Sequence, residues 1–211
     1  MTDFDKVTDF DNLYRAYRKA KSGKGYRNSS AKFEMQALSG IHKLKHQLET
    51  KEYTVAKYNS FYVYEPKQRL IEAAAFKDKV VQHSLCDNVL LPELSKVFIR
   101  NNFAGQIGKG TLFGLNTLKD NMQSFYNEYG MNGYILKADV KKFFYTIDHI
   151  ILKQIIRKHF TDTDLLWLCD LIIDSTEGKG LPLGNQTSQV FALLYLDGLD
   201  HYITETLNIK Y

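Results

Sequence analysis

The chain has 211 residues, a net charge of +4, and apolar and charged fractions of 44% and 25%, a make-up that supports one large domain or two small ones around a real core. No apolar run approaches the length of a bilayer span. The start Met1-Thr2-Asp3-Phe4-Asp5 lacks the basic-then-apolar order of a signal peptide, so no membrane association and a cytoplasmic location are expected. Cys86 and Cys169 fit no metal-ligand spacing and read as buried, reduced thiols.

From the N-terminus, the first distinctive feature is a basic segment. No acid occurs between Asp11 and Glu34, while Arg15, Arg18, Lys19, Lys21, Lys24, Arg27 and Lys32 alternate with Tyr14, Tyr17 and Tyr26. Cations displace the counterions of a nucleic-acid backbone and rings stack on bases, so the segment is a candidate nucleic-acid surface. A solvated helix followed by the loop Ser22-Gly23-Lys24-Gly25 explains it equally well. Phe33, Ala37, Ile41, Leu44 and Leu48 recur at helical steps and predict a helix from about Ala31 to Thr50. Tyr53 to Tyr64 alternates and is rich in Tyr, Val and Phe, which predicts a hairpin turning near Asn59-Ser60 and closed by Pro66. A helix over about Lys77 to Leu91 should stop before Pro92.

Gly108-Lys109-Gly110-Thr111 leads into a predicted helix from about Leu112 to Tyr129. Its glycines lack the spacing and strand context of a phosphate loop, so a nucleotide-triphosphatase is rejected. A strand over Tyr134 to Val140 follows the break at Gly130 to Gly133. Helices are predicted from about Asp148 to His159, from Asp162 to Asp174 with Asp162 or Thr163 as N-cap, and from about Thr187 to Thr206. The sum is a mixed α/β (α+β) chain with helices in the majority.

Two elements carry candidate chemistry. On the strand, Tyr134, Leu136, Ala138 and Val140 face one way, while Ile135, Lys137 and Asp139 face the other. A carboxylate there suits Mg²⁺, which prefers hard oxygen ligands, with the Val140 carbonyl as a further ligand. A lone aspartate at a strand end is more often a turn or capping residue, and Asp148 reads as such a cap. The second element is Leu181-Pro182-Leu183-Gly184-Asn185-Gln186-Thr187-Ser188-Gln189, where Gly184 lets backbone approach a ligand closely. Taken alone it is an ordinary loop-to-helix joint.

Together these residues resemble the fingers and early palm of a right-hand polymerase, the reverse transcriptase of prokaryotic retroelements, over nearly the whole chain. Leu13-Tyr14-Arg15-Ala16-Tyr17-Arg18-Lys19-Ala20 looks like that family's opening helix. Phe61-Tyr62-Val63-Tyr64-Glu65-Pro66-Lys67-Gln68-Arg69-Leu70-Ile71 and Phe76-Lys77-Asp78-Lys79-Val80-Val81-Gln82-His83 resemble its fingers motifs. Lys137 to His149 resembles its first palm motif, and the Leu-Pro-Leu-Gly-Asn loop its next block. Leu183 before the glycine and Ser188-Gln189 after it are similar to diversity-generating retroelements rather than to group II introns, whose loop usually reads Pro-Gln-Gly and later Ser-Pro.

The resemblance implies fingers over residues 1–130 and the N-terminal part of the palm over 131–211. It implies an RNA-directed DNA polymerase that uses template RNA, a DNA or RNA primer, deoxynucleotides, two Mg²⁺ ions and a small basic helical accessory protein. Asp139 and Val140 would be metal ligands, Asp139 being the catalytic one. Lys67 and Arg69 would neutralise the triphosphate, and Phe144 would pack under the sugar. Leu183, Gly184, Asn185 and Gln186 would line the pocket, with Leu183 at the nascent pair. Arg15, Arg18, Lys19, Lys21, Lys24 and Arg27 would meet nucleic acid. The chemistry would be attack of a primer 3′-hydroxyl on the α-phosphorus.

Two departures matter. Gln106 stands where relatives carry arginine, so no phosphate contact is assigned to it. The Tyr-x-Asp-Asp turn that supplies the other carboxylates should follow Tyr211, with Asn208 to Tyr211 starting its strand. The expectation is therefore an N-terminal fragment, inactive by itself. A group II intron maturase and a non-catalytic RNA-binding module are the alternatives.

Overall fold

A computed structural model describes residues 1–23, 33–64 and 66–209. Lys24, Gly25, Tyr26, Arg27, Ala31, Lys32, Glu65 and Tyr211, named above, lie outside the described residues. The fold is mixed α/β and rich in helix, with a small two-stranded sheet.

The N-terminus forms α1 (Asp3–Thr8) and α2 (Phe10–Lys21), each started by a local cap. Thr2 and Asp5 cap one another's backbone N–H groups, and the Asp9 side chain accepts from Asn12 N. The apolar positions of α2, Leu13, Ala16, Tyr17 and Ala20, are buried, whereas Arg15, Arg18 and Lys19 are exposed. Helix α3 (Ala37–Glu49) follows and buries Ile41, Leu44 and Leu48.

The hairpin forms, but in a different place from the one expected. Strand β1 (Asn59–Val63) pairs antiparallel with β2 (Arg69–Ala73), so Asn59-Ser60 opens the first strand, and the turn lies around Pro66. Residues Tyr53 to Tyr58 are not in a strand. Their alternation reflects Tyr53, which is buried and donates its hydroxyl to Asp78 Oδ1 at 2.7 Å, a long-range contact with no local signature.

Helix α4 (Phe76–Leu85) is the centre of the core and packs against α1, α2 and the long helix over Gln186–His201. It does not stop before Pro92. The chain widens into a π turn over Cys86–Leu90, with Leu91 N–H reaching back to the Cys86 carbonyl, and continues as α5 (Leu91–Leu94). Pro92 follows this turn directly as the second residue of α5, and it has no N–H to give back to it. Both cysteines are free and buried, and burial pushes the Cys169 thiol up to about 12.

Helix α6 (Thr111–Tyr129) forms as predicted. Of its residues only Gly114 is buried, and Leu115, Leu118, Met122 and Tyr126 form an exposed apolar ridge. The strand expected over Tyr134 to Val140 does not form: the stretch has no regular structure and is exposed throughout. A strand is stabilised by its neighbours, and among the described residues β1 and β2 are the only strands, paired with each other.

The last part contains α7 (Phe143–Thr146), α8 (His149–His159), α9 (Thr163–Ile173) and α10 (Gln186–His201), which runs on into a π turn over Tyr202–Thr206. Asp148 caps α8 through Ile150 N and Ile151 N, and Asp162 caps α9 through Asp164 N and Leu165 N. Asp162 also accepts from Phe4 N at 2.8 Å, tying the first helix to the ninth. One buried cluster runs from Phe4 through α4 to Leu194.

Candidate functional site

The chain folds two distant segments against the β1–β2 hairpin. The first is residues 142–145. Lys142 adopts a left-handed conformation (φ 54°) and turns the chain into α7, so that Phe143 and Phe144 pack against the core and Tyr145 Oη donates to the Leu70 carbonyl at 3.4 Å. The second is the loop before α10. Leu181 N donates to Phe144 O at 2.7 Å, and Gly180 N donates to Ile147 O at 2.8 Å. Gly180 has φ +89°, and a Cβ there would lie 2.9 Å from Tyr145 Cα, so this close approach requires glycine.

The loop then reaches the hairpin. Glu72 N donates to Leu183 O at 3.1 Å. Gly184 has φ +122°, and a Cβ there would lie 3.4 Å from Ile71 Cγ2. The result is a groove of about 910 Å³ lined by Tyr62, Gln68 to Ile71, Lys142 to Tyr145, Leu183 and Gly184. Its walls are aromatic and aliphatic, and Arg69 and Lys142 are its cations. That chemistry suits a ligand with a flat apolar part and a negative part.

Of the residues singled out from sequence, Arg69, Phe144, Leu183 and Gly184 come together in this groove. Lys67 is exposed on the hairpin connection and does not line it. Asn185 is buried and donates its amide N–H to Tyr58 Oη at 3.2 Å. Gln186 Nε2 is turned to Asp87 Oδ1 at 2.8 Å, away from the groove. Asp139 and Val140 are exposed in the unpaired stretch before α7 and are not among the lining residues. The groove residues Tyr62, Gln68, Leu70, Ile71, Lys142, Phe143 and Tyr145 lie inside the two motif stretches, Phe61 to Ile71 and Lys137 to His149, but the sequence assigns none of them a role.

Among the described residues no three His, Cys, Asp or Glu side chains gather to hold a metal ion. The residues described do not fit a two-metal centre by themselves, because Asp139 belongs to no cluster of three such side chains among them.

The basic segment is partly neutralised. Lys19 Nζ bonds both oxygens of Asp87, at 2.8 and 2.7 Å, and Lys21 pairs with Glu34. Among the described residues no carboxylate pairs with Arg15 or Arg18; Arg15 Nη1 lies 3.5 Å from the neutral Asn12 Oδ1. Gln106 is buried and donates to the Asn102 carbonyl at 2.8 Å, a structural role for the position.

No protein-family model and no curated protein matches the chain. Solved structures do. Chains of a partial Cas6-RT-Cas1–Cas2 complex and of the Cas6-RT-Cas1–Cas2 complex are each similar over 95% of this chain, with TM-score 0.58 and 18% identity. This chain spans 34% of the first and 22% of the second. At that identity the likeness shows a shared fold.

Proposed function

We propose that this chain is the fingers and early palm portion of an RNA-directed DNA polymerase, with residues 1–130 forming the fingers and 131–211 the start of the palm. The observation that carries the reading is the groove. Arg69, Phe144, Leu183 and Gly184, expected from separate motifs to share one pocket, line one cavity. The fold likeness to chains of complexes that include a reverse transcriptase supports it.

In this reading Arg69, joined by Lys142, faces the triphosphate of a deoxynucleotide. Phe144 lies against its sugar, and the Leu183–Gly184 backbone lies against the base pair. The open face with Arg15 and Arg18 takes the phosphate backbone of template RNA or its primer. Leu183 before Gly184, with Ser188-Gln189 after it, favours the diversity-generating type, whose small basic helical accessory protein would then be the partner. Bound Mg²⁺ would supply charge stabilisation at the α-phosphate, and it would need carboxylates in addition to Asp139.

The placement of Asp139 in an exposed, irregular stretch outside the groove favours one second reading, a nucleic-acid-binding piece without catalysis of its own. Binding of a fluorescent RNA-template/DNA-primer duplex tests the common part of both. Anisotropy should show affinity falling steeply with salt and weakening in Arg69→Ala and Phe144→Ala. Salt-independent binding, or none, would sink both readings.

A further inference from the structure

Tyr58 is not one of the groove's lining residues, yet its hydroxyl joins three segments of the chain. It lies 2.8 Å from Ser175 Oγ and accepts from Asn185 Nδ2 at 3.2 Å. The far end fixes the direction of this chain of hydrogen bonds. Ser175 Oγ donates to the Ile172 carbonyl at 2.5 Å, so the Tyr58 proton goes to Ser175, which leaves a Tyr58 lone pair for the Asn185 N–H. Burial raises the phenol's pKa, which keeps it neutral and able to donate and accept at once.

Asn185 is 2% exposed and directly follows Gly184. It is the N-cap of α10, yet its side chain makes no capping hydrogen bond, and its Oδ1 is buried with no partner among the described residues. An N-cap asparagine ordinarily turns its oxygen onto the N–H two or three positions on. Here the amide is turned toward Tyr58 instead. A side chain diverted from its own helix end to a residue far away in sequence has its orientation set by that residue.

We infer that Tyr58 is a positioning residue whose hydroxyl latches Asn185 and thereby fixes the Leu183–Gly184 backbone against the β1–β2 hairpin. With the Glu72–Leu183 backbone bond, the loop is held at two points by the stretch 58–72. The latch is a property of the fold; only the ligand it positions rests on the polymerase reading.

Tyr58→Phe keeps the ring and removes the hydroxyl. Tyr53→Phe is the control: it removes a more deeply buried hydroxyl that bonds Asp78 and not the loop. Hydrogen exchange at the Glu72 amide reports whether the loop stays attached, and anisotropy with an RNA-template/DNA-primer duplex reports the groove. In Tyr58→Phe, Glu72 exchange should rise about tenfold above any global change, and duplex affinity should fall by a similar factor. Tyr53→Phe should lower the unfolding midpoint with no selective rise at Glu72. If Tyr58→Phe does not fold, Ser175→Ala removes the anchor beneath the hydroxyl and should raise Glu72 exchange about threefold. Unchanged Glu72 exchange in the folded variant, or the same selective rise in Tyr53→Phe, overturns the latch. Absence of duplex binding by the unaltered protein overturns the polymerase reading instead, and the exchange measurement still decides the latch.

Discussion

Tyr53 and Asp78 meet where water does not reach, at 1% and 0% exposure, with Tyr53 Oη 2.7 Å from Asp78 Oδ1. The other carboxylate oxygen accepts from Ala56 N at 3.0 Å, and Lys77 Nζ stands 3.8 Å from Oδ1. One acid on α4 thus organises the non-helical run 53–56 that leads to the hairpin. Asp78→Ala would strand a buried hydroxyl and a partly buried N–H, and should cost about 3 kcal/mol of stability. Urea unfolding measures it, and a loss within the noise would show that water replaces the carboxylate.

The glycines of the loop before α10 should rank by their surroundings. Gly178 has φ +75° with open space around it, so Gly178→Ala should cost only the left-handed backbone penalty, about 1 kcal/mol. Gly180 adds the collision with Tyr145, so Gly180→Ala should cost at least about 3 kcal/mol or prevent folding. Equal costs by chemical denaturation would contradict the close approach of the loop to α7.

Cations of the basic helix should contribute unequally to RNA binding. Arg15→Ala and Arg18→Ala should each reduce the slope of log affinity against log salt by about 0.7 to 0.9. Lys19→Ala should change it less, because Asp87 already neutralises that charge. A larger effect from Lys19 would mean that the Asp87 pair opens on binding.

Primer extension by this chain with Mg²⁺ and deoxynucleotides should be undetectable, since no cluster of three metal-ligating side chains forms among the described residues. Gel analysis of a labelled primer on an RNA template checks it. Any template-directed product would require a metal site of different composition.

The end of α10 should give stability a pH dependence. His201 Nδ1 lies 2.7 Å from Glu205 Oε1, and Nε2 lies 2.9 Å from the Val97 carbonyl and 3.6 Å from Asp197 Oδ1. The Glu205 hydrogen bond, then the Val97 carbonyl, hold its pKa above the ordinary 6.5, against some loss from burial. A raised folded-state value means that this stability is fully present below 6.5 and is lost as pH rises through the raised value. Burial also raises Asp197 and Asp200, an effect of the same sign set in from the carboxylate range. Thermal midpoints measured from about pH 6 to about pH 8.5 should fall, and His201→Gln should flatten the fall. An unchanged slope in that variant would remove His201 from the explanation.

Features written locally were legible in the sequence. Asp148 and Asp162 sit at the starts of helices whose caps need only the next few residues, and both cap as read. The features set by distant partners were not. Tyr53 looked like a strand residue because its burial is satisfied by Asp78, 25 positions on. Tyr134 to Val140 has the alternation of a strand, but alternation supplies no neighbour to bond with. In the candidate site, Arg69, Phe144, Leu183 and Gly184 were legible through motifs. Lys142 and Tyr58 were not, since one depends on a left-handed turn and the other on a hydroxyl whose partners lie more than a hundred residues away.

The π turn at Cys86–Leu90 makes this stretch sensitive to length rather than to identity. Each α-helical residue rotates the helix by about 100°, and the turn holds one residue more than an α-helical path would. Removing any one of the five would regularise the helix and swing α5 around its axis. Leu94 and Phe98, now buried, would be carried off the core, and Pro92 would fall where its ring meets the preceding turn. Substitutions here alter packing by degrees, whereas a single-codon deletion would change the phase of everything downstream on that rod.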